Sequence, residues 1–184
     1  MKFTTRQDFV SLAELMRFYG DFDEIVFKSH CDLDEQEIAD LCRTARRSVD
    51  QLRLHYGRKR AAEIAQAYGI VVITDQWQPG SGRVIALAEK SLHPPGIHLN
   101  LDAIESLADL MPHWANEHEL VWFTEAQIIE VATAQQLYCL IEPHLASAEL
   151  ASHAFTRAFT ALPFSPLLYG ALLTRLLKGR GSAS

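Results

Sequence analysis

Cys139, Glu149 and His153 are the side chains whose chemistry and order could build a reactive centre, with His144 between them. A thiolate, a carboxylate and an imidazole are all zinc donors. Glu149 and His153 stand four residues apart, which places them on one helix face, where a carboxylate and an imidazole can also simply pair. An acid in the first turn of a helix is favoured by the helix dipole whatever else it does. Cys139 can equally serve as a small core residue, and catalysis by Cys139 as a nucleophile with His144 or His153 lacks an orienting motif. The other histidines are His30, His55, His93, His98, His113 and His118, and their close pairs fall five apart, which suits neither one helix face nor one strand face. Cys31, Cys42 and Cys139 make an odd count without CxxC spacing, against both a disulfide framework and a four-cysteine zinc site.

The elements that must position these groups follow from periodicity. Phe9, Leu12, Leu15, Met16 and Tyr19 predict a first helix capped near Thr5 and stopped by Gly20. Asp32 or Asp34 opens a second, with Ile38, Leu41, Ala45, Val49 and Leu52 on one stripe and Gly57 at its end. A third runs from Arg58 to Tyr68. Three strands follow, at residues 70–74, 83–88 and 96–101, with turn residues at 79–82. They predict a small, antiparallel meander. Asp102 to Met111 reads as a short helix, and residues 113–123 as an irregular aromatic approach. Thr124 with Gln127 then matches a capping box before an apolar run to Ile141, apolar nearly all round and therefore central. Pro143 stops it. Ser147 caps the helix bearing Glu149 and His153, and Ser165 with Pro166 opens a last apolar helix.

The order of strands, aromatic approach ending Trp122-Phe123-Thr124, buried helix, and Glu149 followed by the 162–166 turn resembles the ImmA/IrrE type of zinc metallopeptidase, a compact gluzincin. The resemblance covers roughly residues 58–166 and implies a zincin-like helix reading Ala-His-Glu-Leu-Phe-His where this chain has Ala134-Gln135-Gln136-Leu137-Tyr138-Cys139. In that motif two histidines bind zinc from one helix face and the glutamate takes a proton from the metal-bound water. Gln135 is a poor zinc donor, Gln136 cannot accept that proton at neutral pH, and only Cys139 keeps a group that zinc can use. Glu149 corresponds to the third ligand; a slip of two residues puts Ala151 there instead. The resemblance therefore implies a degenerate site, with Gln135, Gln136 and Cys139 as vestigial positions and no cofactor. A rebuilt zinc site from Cys139, Glu149 and His153 is the alternative.

The expected fold is α+β, mainly helical with a three-stranded sheet: residues 1–57 form an N-terminal helical extension and 58–184 a degenerate metallopeptidase-like domain with a C-terminal helix. The expected function is a catalytically inactive regulatory or assembly module that binds a protein partner, by strand addition along Ile97, His98 and Leu99. The alternative is a divergent metal-dependent hydrolase. A net charge of -6, with basic residues only in short clusters such as residues 58–60, disfavours nucleic acid. The N-terminus shows no secretory pattern, and the most apolar stretch, residues 167–177, is about half the ~20 residues of a transmembrane helix. A cytoplasmic location is the expectation.

Overall fold

The computed structural model describes residues 12–20, 33–75, 86–113, 115–142 and 148–180. The expected caps at Thr5, Asp32 and Ser147, the turn at residues 79–82, the stop at Pro143 and the donor His144 lie outside them. Within them the chain runs α1 (Leu12–Phe18), α2 (Glu35–Tyr56), α3 (Ala61–Ala67), β1 (Val71–Asp75), β2 (Ala88–Leu92), β3 (Pro95–Asn100), α4 (Leu101–Leu110), α5 (Glu117–Leu120), α6 (Glu125–Ile141), α7 (Ala148–Thr160) and α8 (Leu167–Arg180). Single 3-10 turns lie at Met111–His113 and Val121–Phe123. The class is α+β and mainly helical, as expected.

The helix ends follow local chemistry. Asp34 accepts the Glu37 N–H at 2.8 Å and the Glu37 carboxylate accepts the Asp34 N–H at 2.8 Å, so the capping box forms at Asp34. Gly57, at φ +69°, ends α2 with a backbone geometry that a side chain would resist. At α6 the Thr124 hydroxyl accepts the Gln127 N–H at 3.3 Å, and the expected return bond from Gln127 is not formed. α3 starts at Ala61, three residues later than expected. Its first N–H is taken by a distant carboxylate: Glu130 on α6 accepts from Ala61 at 2.9 Å.

The sheet departs from the meander. Its order is β1-β3-β2, with β3 antiparallel to β2 but parallel to β1, so the sheet is mixed. A meander needs only hairpins, whereas parallel pairing needs a crossover of a dozen or more residues. Residues 76–94 between β1 and β3, with β2 among them, supply that length. Residues 83–85 of the expected second strand lie outside the described residues; β2 runs on from Ala88 to Leu92, a stretch whose polar sequence carries no apolar run to announce it.

α6 is the centre of the molecule. It packs on α3, α4, α7, β2 and β3, and buries Ile128, Val131, Ala134, Leu137, Tyr138 and Cys139. Tyr138 stacks on Phe155 of α7 at 4.7 Å between centroids, and Phe155 on Phe159 at 5.5 Å. A second cluster joins Phe123, Phe164 and Tyr169, whose hydroxyl donates to the Trp122 carbonyl at 2.6 Å. Leu12 and Leu15 of α1 and Ala45, Val49 and Leu52 of α2 belong to the same core as the residues beyond 58, so the N-terminal helices complete this core. Leu168, Tyr169, Leu172 and Leu173 are buried, which gives the apolar face of α8 to the core. No helix among the described residues is long and apolar enough to cross a membrane.

Candidate functional site

Gln135, Gln136 and Cys139, the positions expected to be vestigial, lie on α6, which packs against β2. Gln135 and Gln136 are half-buried and Cys139 is buried. The Gln136 side-chain amide donates to the Ala88 carbonyl, a long bond at 3.5 Å. Asn100 N–H donates to the Leu87 carbonyl at 2.9 Å, and the register sets Leu87 opposite Asn100, Ala88 opposite Leu99 and Glu89 opposite His98. Bonded and non-bonded pairs alternate along an antiparallel ladder. Glu89 and Ser91 therefore bond to β3, while the backbone groups of Ala88, Lys90 and Leu92 point outward. Gln136 thus reaches an acceptor on the outer edge of β2. Among the described residues no strand covers that edge.

The residues expected to receive a partner strand do not do so. Ile97, His98 and Leu99 belong to β3, which lies between β1 and β2 and has no free edge. Ile97 and Leu99 are buried on the face toward the helices, and His98 lies half-exposed on the other face. The crossover that makes β1 and β3 parallel is the physical reason. Among the described residues the two edges of the sheet belong to β2 and β1.

The rebuilt metal site does not assemble either. Cys139 and His153 are both buried on helices that pack along each other, α6 and α7. Glu149, in the first turn of α7, is exposed and makes no ion pair with His153. The α7 turn faces His153 into the core and leaves Glu149 outside, so the expected pairing on one face is not formed. Among the described residues no three His, Cys, Asp or Glu side chains could hold one ion together.

One ionisable side chain near this helix was not singled out by sequence reasoning. Burial raises the Glu130 carboxyl above the usual carboxylate range, opposed by the Ala61 N–H bond and by Arg60 and Arg53. A lone acid inside an apolar helical run was the available signal. Burial likewise raises the Tyr138 phenol, helped by the Glu142 carboxylate and opposed by Ser48.

Comparison of the chain with protein-family models, with curated proteins and with solved structures finds no match.

Proposed function

We propose that this chain is a catalytically inactive metallopeptidase-like protein that binds an extended segment of a partner protein along the free edge of β2, in a regulatory or assembly role. The observation that carries the reading is the position of Gln136. It stands where the resembling family has its general base, and its amide is engaged with the outward carbonyl of Ala88. An amide cannot accept the proton that a metal-bound water must lose, and loss of such a base removes about 10²- to 10⁴-fold in rate. Gln135 and Gln136 do not fit a zinc ion, and Glu149 points to solvent. The outward backbone groups of Lys90 and Leu92 offer the hydrogen bonds by which a strand adds to a sheet.

Metal content and edge binding test the two halves of the reading. Mass spectrometry of the chain purified without chelator is expected to find no stoichiometric zinc, iron or manganese. Stoichiometric metal that Cys139→Ala removes would overturn the inactive-scaffold reading in favour of a hydrolase. For binding, peptides that dock on β2, selected from a displayed random library, should lose affinity for Lys90→Pro, which removes an outward N–H, and keep it for Lys90→Ala, which removes the ammonium alone. A selection in which every peptide binds Lys90→Pro and the parent equally would exclude β2 as the docking edge.

A further inference from the structure

The opposite edge of the sheet carries a second surface, independent of the metallopeptidase reading. β1 is that edge, and Val71 and Ile73, two residues apart and so on one face, are 56% and 38% exposed. Edge strands are ordinarily guarded by a charge, a proline or a bulge. Lys90 does this at β2; in β1 the run Val71-Val72-Ile73-Thr74 carries no such residue, and a charge enters only with Asp75 at the end of the strand. Between β1 and α3 lies an open groove of about 450 Å³, lined by Ala62, Glu63, Gln66, Ile70, Val71 and Val72.

The first residue of the groove wall, Ala62, stands two residues after a basic loop. Arg58, Lys59 and Arg60 are all exposed, and among the described residues none of their side chains is in an ion pair. Arg60 is near enough to the Glu130 carboxylate to lower its pKa, which leaves Arg58 and Lys59 as the cations of this loop with no acidic partner among the described residues. The loop is held from below. Arg53 lies over the Phe159 ring at 4.1 Å and donates to the carbonyls of Gly57 at 3.3 Å, Lys59 at 3.1 Å and Phe159 at 2.9 Å. Glu63, the carboxylate in the groove wall, accepts the Arg60 backbone N–H at 2.9 Å.

We propose that the α3–β1 groove and the 57–60 loop together bind an extended acidic polypeptide segment, its backbone added to β1, its small apolar side chains in the groove and its carboxylates on Arg58 and Lys59. Charge complementarity selects the acidic partner. A loop already held in place loses little further freedom on binding, which favours a compact ionic contact. A polypeptide fits better than a nucleic acid, because a phosphate backbone requires a continuous positive face. Here the positive charge is confined to one loop, beside the carboxylate of Glu63, on a chain of net charge -6.

A displayed library of random peptides, panned on the full chain, tests this. The selected peptides whose binding Lys90→Pro leaves unchanged should be enriched in Asp and Glu beside Val, Ile or Ala. A synthetic copy of the strongest one should lose about tenfold in affinity when Arg58→Gln and Lys59→Gln are combined, as loss of charged contacts predicts. It should lose at least as much with Ala62→Trp, which fills the groove. Circular dichroism and thermal unfolding establish that each variant folds; if Ala62→Trp does not, the exposed loop pair decides alone. Selection without acidic enrichment, or affinity unchanged in the loop variant, overturns the proposal. So does a single-stranded oligonucleotide that binds the same loop more tightly than the peptide, which would assign the surface to nucleic acid.

Discussion

At the scale of single residues, polar side chains within the helical core act as distant caps. Glu130 supplies the acceptor for the first N–H of α3, whose N-cap residue Arg60 offers no side-chain acceptor. Glu130→Ala removes that acceptor and is expected to lower stability by about 1–2 kcal/mol in urea unfolding at neutral pH. Glu130→Gln keeps an acceptor oxygen without the charge and should be much milder. The two variants also separate in pH. Burial, the largest influence, raises the folded-state pKa above the unfolded one. The folded state then holds the proton more tightly, so the stabilisation is complete below the unfolded pKa and lost as pH rises through the folded one. Unfolding measured across that interval should show the decline in the parent and not in Glu130→Gln. Gln136 invites the converse experiment. Gln136→Glu sets a carboxylate against the Ala88 carbonyl, two acceptors with no donor, and should cost about 1–2 kcal/mol by the same assay.

Among the elements, α6 and α7 carry the core and β2 presents the edge. Phe155 is fully buried and stacks on both Tyr138 and Phe159. Phe155→Ala is expected to lower stability by about 3–5 kcal/mol in denaturant unfolding, since the aromatic cluster between two helices cannot close around the missing ring. The alternation along β2 gives a sharper comparison. Lys90→Pro removes an outward N–H and leaves the β2–β3 ladder whole, whereas Glu89→Pro removes a ladder bond and should cost about 3 kcal/mol or more. Circular dichroism and urea midpoints of the two variants check the inferred ladder, because equal losses would mean that the alternation is reversed.

For the whole molecule, metal and folding are separable on the inactive reading. A ligand that binds only the folded state raises its stability, so removing a resident ion would lower the unfolding temperature. Thermal unfolding with and without excess chelator is expected to coincide. A clear drop on chelation would point to an ion held by Cys139 and His153 with donors beyond the described residues. The single core shared by the N-terminal helices has a consequence at the same scale: deletion of residues 1–57 should abolish cooperative unfolding, because it strips Leu15, Ala45, Val49 and Leu52 from that core.

The positions of the longer helices, the central apolar α6 and the α+β class were determined by the sequence itself, because helical periodicity and the caps at Asp34 and Thr124 act over a few residues. The one-turn α5, capped by Asn116 inside a stretch expected to be irregular, was too short to show a period. The neutral amides at Gln135 and Gln136 were equally legible, since an amide is an amide in any fold. Strand order was not, because nothing local in residues 71–100 states whether β3 returns beside β2 alone or enters between β2 and β1. That one choice removed Ile97, His98 and Leu99 from the candidate edge and put Lys90 and Val71 on the two edges instead. Tertiary packing also decided that His153 is buried while Glu149, four residues earlier on the same helix, faces solvent. Helix spacing places two residues on nearby parts of one surface, and only the neighbouring helix determines which of them it covers.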